Sequence, residues 1–414
     1  MSGSAHMVGP TQVGESAAAE KLTRPVLVVA AVICTCVVVS HMFGRSTISI
    51  LLPAIRQDLV DSNTAAGVLG GSNFAGYIIG VVFVTVLAGR AEPIQLMRAG
   101  LVISAAALFL LAIAPSFLVL GIGVWLAGFG GAGIWVTAPA LATANVPASR
   151  RGAVLGALTA TMGIALLLLS QGTTLFRKIV DNDDAWRPIF GIEAAVTVAI
   201  LVAVFVLVRP TATVQQSQRG TLFSARALRS IPGWLLLVVC YTSFSALAGA
   251  WTQFLGLALK EDAGFSSAHV NNLFSVFAVC GIFGPLLMGR LSDRIGRDRA
   301  LAIAAAISVT ASLLLTINAE PWSSIAVGLY GAGSFSVPIL TAAAVRDHLD
   351  DRSFSTAYGT ITIIYGIGSF SAALLAGVIA DWRDSFDLVY VLLGVLAAVS
   401  GTTALMRFRL LRIG

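Results

Sequence analysis

The sequence predicts an all-α membrane protein with about twelve transmembrane helices, arranged as two related halves of six helices each. Of the 414 residues, 57% are hydrophobic and only 11% are charged, whereas a soluble globular domain carries roughly 25% charged residues. A bilayer-spanning helix needs about 20 apolar residues, so a chain of this length holds roughly twelve spans. Similar motifs recur in the same order in both halves of the chain, which indicates an internal repeat.

Short polar loops separate the apolar runs and place the domain boundaries. Residues 1–22 are small and polar and lack the basic start and apolar core of a cleaved signal peptide, so we expect a disordered tail. We assign the first half to 23–208, a hydrophilic cytoplasmic linker to 209–231 and the second half to 232–414. The predicted helices are 25–57, 64–88, 94–114, 117–144, 152–177, 185–208, 232–259, 267–288, 300–317, 322–345, 354–380 and 385–406.

The basic residues of the loops predict the orientation of the chain. With both termini in the cytoplasm, the cytoplasmic loops hold about three times as many Lys and Arg residues as the outer loops, in agreement with the positive-inside rule. We therefore expect a multi-pass monomer in the bilayer of the cytoplasmic (inner) membrane. The net charge of +6 is spread over many short loops, so nucleic acid is not an expected partner.

One charged loop, GRLSDRIGRDR at 289–299, lies between two apolar runs and carries the pattern G-x-x-x-D-R-x-G-R. This pattern resembles the signature loop of the major facilitator superfamily (MFS), which lies between the second and third helices of each half. Asp298 departs from the resemblance, because the family usually has a base there, and Arg299 is a candidate to replace it. The residues that match are Gly289, Asp293, Arg294, Gly296 and Arg297.

The internal repeat supports the same family. LAGR at 87–90 precedes LMGR at 287–290, and AWRPIF at 185–190 precedes DWRDSF at 381–386, both by roughly 200 residues. The loop of the first half lacks the Asp and the second Gly, so we expect the second loop to be the main gating loop. The resemblance extends over 25–410 and implies a secondary transporter that works by alternating access. In the family, helices 1, 2, 4, 5, 7, 8, 10 and 11 line the cavity between the halves.

No motif indicates an enzyme or a cofactor. The sequence has no G-x-S-x-G elbow, no phosphate-binding GK[ST] loop and no cluster of His and Cys with metal-ligand spacing. The four cysteines lie within apolar runs, where they act as small buried residues. We therefore expect no cofactor, no metal and no use of ATP by this chain, and transport driven by an ion or substrate gradient.

Arg45 is the most informative charged residue, because it lies within the apolar run VVVSHMFGRSTISILLP. A charge inside a membrane helix costs about 2.5–3.5 kcal/mol on insertion scales and usually has a function. His41, Arg45 and Ser49 follow at intervals of four residues and would share one face of a continuous helix. Arg45 either binds an anionic substrate, with His41 as a neighbour or proton carrier, or forms a structural pair with a buried carboxylate or the headgroups.

Two further groups of residues have both a functional and a structural interpretation. Glu193 is the one acid well inside an apolar run, and it is a second candidate for proton coupling or a packing residue of the sixth helix, which is peripheral in the family. Polar and aromatic residues on the helices that line the family's cavity either contact substrate or hydrogen-bond neighbouring helices. They are Asn73, Tyr77, Trp125, Gln171, Tyr241, Trp251, Gln253, Tyr358, Thr362 and Tyr365.

The sequence therefore predicts a secondary active transporter of a small organic anion, coupled to protons. An exporter of apolar or weakly polar compounds is the alternative within the same class. The fifth helix lacks the Gly-Pro signature of the superfamily's drug–proton antiporters, and the first helix has no acid, which disfavours a multidrug exporter. A non-transporting membrane sensor is a more distant alternative. It would be expected to have an added cytoplasmic domain or a long signalling loop, and the longest internal loop here has only about 22 residues.

Overall fold

A computed structural model of the protein describes residues 24–87, 90–209 and 225–413. Within these ranges, twelve helices are long and apolar enough to cross a membrane, and no strand is present. We number them α1 to α12: Arg24–Leu59, Asn63–Leu87, Pro93–Ala112, Phe117–Thr143, Ala148–Val180, Arg187–Leu207, Trp234–Glu261, Ser267–Ile295, Arg297–Leu315, Trp322–Arg346, Asp351–Arg383 and Asp387–Ile413.

The all-helical prediction with twelve spans is confirmed, and most of the predicted boundaries are close to those of the structure. The predicted tail and most of the predicted linker lie outside the described residues, although a short helix at Ala225–Arg229 precedes α7. The assigned domain limits therefore stay predictions. Four helices differ from expectation: α1 is broken at Met42–Ser46, α10 is divided at Phe335, and α8 and α12 continue past their predicted ends at 288 and 406 to Ile295 and Ile413. Most of the predicted loop at 289–299 therefore lies in the last turns of α8.

Small residues bring helices into close contact in the same way in both halves. In the first half, a Cβ at Gly76 would lie 2.0 Å from the carbonyl oxygen of Trp125, and one at Gly128 would lie 2.1 Å from that of Asn73. In the second half, a Cβ at Gly284 would lie 2.1 Å from the carbonyl oxygen of Ala332. Contacts this short require glycine, so α2 packs directly on α4, and α8 packs on α10, backbone against backbone.

The two halves are joined at one end of the molecule, which we call the Arg56 end. It contains the loops that precede α2, α6, α8 and α12. Arg56 of α1 forms a salt bridge of 2.9 Å with Glu261 of α7. The carboxylate of Asp381 of α11 accepts hydrogen bonds of 2.7 Å from the backbone N–H groups of Asn63 and Thr64, at the start of α2. These polar contacts connect the first half to the second across their interface.

The opposite end, which we call the Arg290 end, is more open. A Cβ at Gly67, near the Arg56 end of α2, would lie 2.5 Å from the carbonyl oxygen of Ala373 in α11. In contrast, a Cβ at Gly156 of α5 or at Gly359 of α11, both near the Arg290 end, would have no described atom of another element within 4 Å. Among the described residues, the halves therefore touch at the Arg56 end, whereas these two glycines near the Arg290 end have no such contact.

The charged loop between α8 and α9 is built around Arg297. Its guanidinium contacts the carboxylate of Asp293 at 2.5 Å and that of Asp347 at 3.3 Å. Gly296 connects the two helices with a φ of 92°, which a residue with a side chain rarely adopts. Asp293 therefore pairs with a base of its own loop, and Arg297 links that loop to the end of α10.

Asp298, the residue that departs from the family pattern, has a structural partner. Its carboxylate lies 2.6 Å from Nη1 of Arg407 in α12, and both side chains are buried. Arg299 instead lies over the ring of Phe408, 4.1 Å from its centroid. The acid at this position therefore neutralises a buried arginine, which explains why a base is absent.

Candidate functional site

The first helix is broken between His41 and Arg45. Phe43 has a ψ of 136° and Gly44 a φ of 70°, so neither residue is helical. Arg45 therefore does not follow His41 along one continuous helix face, as the spacing of four residues predicted. The Ser46 hydroxyl donates to the carbonyl oxygen of His41 at 3.2 Å, and the Thr47 hydroxyl oxygen lies 3.2 Å from the carbonyl oxygen of Met42, next to the break.

Two neighbouring helices hold the break in place. In α6, the carboxyl of Glu193 accepts a hydrogen bond from the Thr47 hydroxyl and lies close to the backbone of Gly44. In α4, the carbonyl oxygen of Gly131 accepts a hydrogen bond of 2.8 Å from Ser40. Glu193 is 3% exposed, and its Oε2 has no hydrogen-bond partner among the described residues. This arrangement places Glu193 directly against the break.

Arg45 faces the space between the two halves. Its guanidinium carbon lies 4.4 Å from the centroid of the Phe74 ring in α2, and its charge is within electrostatic reach of Tyr77 in α2 and Tyr365 in α11. The side chain is partly accessible. Within the described ranges, no carboxylate forms a salt bridge with Arg45, so the pairing with Glu193 that would have removed an anion site does not occur there.

Four of the six tyrosines surround this position. The rings of Tyr241 in α7 and Tyr365 in α11 are 4.9 Å apart, and the Tyr358 hydroxyl donates to the carbonyl oxygen of Pro338 at 3.3 Å. Tyr77 is within electrostatic reach of Tyr358 and Tyr365. Tyrosine has an apolar ring and a polar hydroxyl, so the cluster offers stacking surfaces and hydrogen bonds beside the Arg45 cation. Thr362, one turn from Tyr358, donates to the carbonyl oxygen of that residue.

His41 lies on the other side of the break and contacts α4. Its ring centroid is 4.2 Å from that of Trp135, and its Nδ1 is buried with no hydrogen-bond partner in the described part of the chain. The charge of Arg45 also acts on this imidazole. His41 and Arg45 are therefore neighbours, although they pack against different helices.

Five other predicted site residues contact neighbouring helices, and their roles in substrate binding stay predictions. Asn73 donates to the carbonyl oxygen of Val124 at 3.2 Å, and Gln253 donates to that of Ala66 at 3.4 Å. Trp125 packs through its backbone against Gly76 of α2, and its ring stacks on Phe129 of its own helix, with centroids 5.4 Å apart. The other two make contacts of the same kind: Gln171 donates to Ser275 and Asn272, and Trp251 stacks on Tyr330 at 3.7 Å within the core of the second half.

The break and its contact with Glu193 were not predicted from the sequence. The local signal is the segment Gly44-Arg45-Ser46-Thr47, in which a glycine precedes two hydroxyl residues that can replace lost backbone hydrogen bonds. The partner, Glu193, is far away in the sequence, and only the packing of α6 on α1 brings it to Gly44.

Comparison with known proteins gives a consistent family. A family model described as "Uncharacterised MFS-type transporter YbfB" matches residues 37–405. The gentisate transporter of Corynebacterium glutamicum is 24% identical over 364 residues, which cover 84% of this chain and 80% of that protein. An MFS-type efflux pump of Mycolicibacterium smegmatis is 28% identical over 280 residues, covering 64% of this chain and 62% of the pump.

Solved structures show the same fold at low sequence identity. A bacterial homologue of the human lysosomal transporter Spinster superposes with a TM-score of 0.74 at 14% identity, covering 93% of this chain and 96% of the homologue. The nucleoside transporter NupG superposes with a TM-score of 0.71 at 14% identity, covering 93% of this chain and 99% of NupG. From its twelve spans in two bundles, its signature loop and its family match over 37–405, the chain belongs to the MFS-type transporters and is a multi-pass membrane transporter.

Proposed function

We propose that this protein is a secondary active transporter of a small organic anion and that Arg45 binds the acidic group of the substrate. The observation that carries the proposal is a partly accessible arginine between the two halves with no carboxylate partner among the described residues. A cation in a low-dielectric space is costly unless an anion pairs with it. A guanidinium can bind a carboxylate or sulfonate through two parallel hydrogen bonds, which fixes its orientation as well as its charge.

The surroundings of Arg45 favour an anion with an aromatic or otherwise flat apolar body. Phe74, Tyr77, Tyr241 and Tyr365 offer ring faces, and the tyrosine hydroxyls can bind polar substituents. The similarity to a gentisate transporter is consistent with this class, since gentisate is a hydroxylated aromatic carboxylate. We therefore propose hydroxybenzoate-like carboxylates as the first substrates to test.

Coupling to protons completes the proposal, with His41 and Glu193 as candidate carriers. His41 lies beside Arg45, and histidine is the side chain whose reference pKa in water, about 6.5, falls in the physiological range. Binding of an anion at Arg45 would favour a proton on His41, so the substrate and the proton would move together. Glu193 is the second candidate, because its carboxyl contacts the break between these two residues.

Alternating access would use the two ends of the interface between the halves. Loop charges favour a cytoplasmic location for the Arg290 end and both termini in the inner membrane. The contacts at the Arg56 end and the space at the Arg290 end then correspond to a state open to the cytoplasm. Asp293, Arg294 and Arg297, with Gly289 and Gly296, are the proposed gating loop of the opposite state.

A second candidate function is the export of apolar or weakly polar compounds. It is favoured by the similarity to an MFS-type efflux pump and by the aromatic rings near Arg45. The two candidates differ in whether the acidic group of the substrate is needed. An exporter of neutral compounds would not depend on the charge of Arg45.

Uptake by the purified protein in proteoliposomes tests the proposal. We expect gentisate or a related hydroxybenzoate to be transported, and its neutral carboxamide, which has nearly the same shape, to be neither transported nor inhibitory. Transport of the carboxamide at a similar rate would support the exporter. Cationic dyes and short aliphatic carboxylates would define the limits of the substrate class.

The proton carrier can be tested in the same vesicles. Uptake would be measured between about pH 5.5 and 8 with His41→Gln and with Glu193→Gln, because each substitution removes one titration. We expect His41→Gln to flatten the pH profile while substrate-driven counterflow persists. If His41→Gln keeps the profile and Glu193→Gln flattens it, the proton is carried by Glu193; if neither variant changes it, coupling by both residues is wrong.

A further inference from the structure

A small cavity lies at the Arg56 end, where two helices from each half meet. Its walls come from α1, α5, α7 and α8, and its volume is about 10 Å³. Two cationic side chains line it from opposite halves, Arg177 of α5 and Lys260 of α7. This cavity is distinct from the Arg45 position, and no residue proposed to bind the substrate lines it.

The polar groups of the cavity are mainly hydrogen-bond donors. Arg177 is only 5% exposed, and its buried Nε has no hydrogen-bond partner among the described residues. Lys260 donates one hydrogen bond of 3.3 Å to Ser267. This bond uses one of the three N–H groups of Lys260 and does not use the hydroxyl proton of Ser267. Asn271 donates one hydrogen bond of 2.8 Å to Thr174 and has a second amide hydrogen.

The acidic residues nearby lie outside this cavity. Asp183 and Asp184 act on Arg177 from the loop between α5 and α6, and neither lines the cavity. Glu261 follows Lys260 in the sequence, but its carboxylate is bound to Arg56. Two cations therefore face one enclosed space, and no acid contributes to its lining. A buried cation with an unpartnered donor is costly, and an anion would satisfy both its charge and its donor.

We propose that this cavity is a binding site for a single small inorganic anion of about the size of chloride, held between Arg177 and Lys260. The volume decides the class of ligand. Holding one water-sized particle takes roughly 10–15 Å³ of such volume, so the cavity has space for one such particle at most and excludes an organic carboxylate. A monatomic anion, which is larger than water, fits once the flexible Lys260 side chain moves outward. The apolar side chains of Pro53 and Val270 complete the lining and limit its hydration.

This site would stabilise one conformation of the transporter. Arg177 belongs to the first half and Lys260 to the second, so the site is complete only while the halves touch at the Arg56 end. A ligand that binds one conformation shifts the equilibrium toward it. The anion therefore keeps the Arg56 end closed, and it must leave before that end opens. Chloride acts here as a regulator of the cycle, separate from the transported substrate.

Thermal unfolding of the purified full-length protein in lipid nanodiscs tests the site. Sodium chloride would be titrated against sodium gluconate at constant ionic strength and without organic substrate, since gluconate is too large for the cavity. We expect a saturable rise in Tm of about 2–4 °C with chloride, because a ligand of the folded state stabilises it. Arg177→Gln and Lys260→Gln should lose this rise, and the adjacent exposed Lys178→Gln should keep it.

The outcomes separate this site from the proposed function. Equal Tm values in chloride and gluconate would overturn the proposal and leave water as the occupant. A chloride-dependent rise that persists in both Arg177→Gln and Lys260→Gln would also overturn it. If Arg177→Gln fails to fold, Lys260→Gln and Arg177→Lys decide the matter. Arg45→Gln should keep the chloride response and lose the response to gentisate, so failure of either site is seen independently of the other.

Discussion

Two arginines of the spanning helices, Arg45 in the first half and Arg407 in the second, have opposite surroundings. Arg407 of α12 is 2% exposed, contacts the carboxylate of Asp298 at 2.6 Å and donates through Nε to the carbonyl oxygen of Pro232 at 3.1 Å. Arg45 of α1 is partly accessible, lies over the ring of Phe74 and has no carboxylate partner in the described part of the chain. The fold itself neutralises Arg407, whereas we propose that a ligand neutralises the charge of Arg45.

The presence or absence of a carboxylate partner distinguishes a structural charge from a functional one in a membrane protein. A buried ion pair gives little net stability, but removing one partner leaves an uncompensated charge and destabilises the fold strongly. An arginine that pairs only with a bound ligand has no protein partner to lose, so its removal affects binding far more than folding. The comparison therefore predicts that substitutions at the two sites have opposite effects on stability and on transport.

The largest effect is expected at the paired arginine. Asp298→Ala should lower the free energy of unfolding by about 3–5 kcal/mol, because it leaves Arg407 buried without its carboxylate. Asp293→Ala is the matched control, since its side chain is 66% exposed and its bond to Arg297 is an i,i+4 surface pair. That control should change stability by less than about 1 kcal/mol. Reversible unfolding in mixed micelles measures both, and similar losses in the two variants would contradict the assignment.

The next effect concerns Arg45 and is expected in binding rather than stability. Arg45→Ala should lower the affinity for the anionic substrate by about 100-fold or more, which removes transport, while Tm stays close to that of the unmodified protein. Arg45→Lys should keep part of the binding, because lysine retains the charge but not the two parallel hydrogen bonds.

The control for Arg45 is Arg409→Gln, which neutralises an exposed arginine near the end of α12 and should leave binding unchanged. Isothermal titration with gentisate gives the affinities, and uptake in proteoliposomes gives the rates. A loss of Tm in Arg45→Ala comparable to that of Asp298→Ala would mean that Arg45 is structural. Retained gentisate affinity would mean that the anion binds elsewhere.

Much of the fold could be predicted from the sequence, because its determinants are local. Apolar runs of bilayer length and the pattern at 289–299 were sufficient for the twelve spans and the family. The role of Asp298 was not predictable, since its partner Arg407 is distant in sequence and lies just beyond the predicted end of α12. That helix extends to Ile413 because the ion pair allows a buried arginine within it.

The candidate site was predicted in part. Arg45, Tyr77, Tyr241, Tyr358 and Tyr365 stand out in the sequence as polar residues on helices that line the family's cavity. Tyr77 and Tyr365 are within electrostatic reach of Arg45, and the Tyr241 ring lies 4.9 Å from that of Tyr365, while their roles in binding stay predictions. Polarity alone could not distinguish them from residues that bond to neighbouring helices, such as Asn73, Gln171 and Gln253. The two groups differ only in which face of a helix meets another helix, and that depends on packing between distant segments.

A smaller effect is expected at Glu193, which contacts the break that precedes Arg45. Glu193→Leu removes the acceptor of the hydrogen bond from Thr47 and the carboxyl that lies close to Gly44, so the break is less well fixed and Arg45 is less well oriented. We expect the affinity for substrate to fall about tenfold. Thr47→Val should lower it less, as expected for the loss of one hydrogen bond.

Thr197→Val is the control, because among the described residues this buried hydroxyl bonds to the Glu193 carbonyl within α6. Unchanged affinity in Glu193→Leu would show that the break is held without this carboxyl.

The smallest effect on affinity is expected at the gating loop, which lies at the Arg290 end. Asp293→Asn weakens the contact with Arg297 and leaves the Arg45 environment intact, because the loop is exposed and lies between α8 and α9. If the loop closes the Arg290 end in the opposite conformation, this substitution should reduce the transport rate several-fold and change substrate affinity by less than about threefold.

Arg290→Gln, which neutralises an exposed charge of the same loop outside the pair, serves as the control. Rate and affinity are measured separately, by initial uptake and by equilibrium binding. A large loss of affinity at a normal rate would mean that the two ends are not independent, and that the division between a binding region and a gating region is wrong.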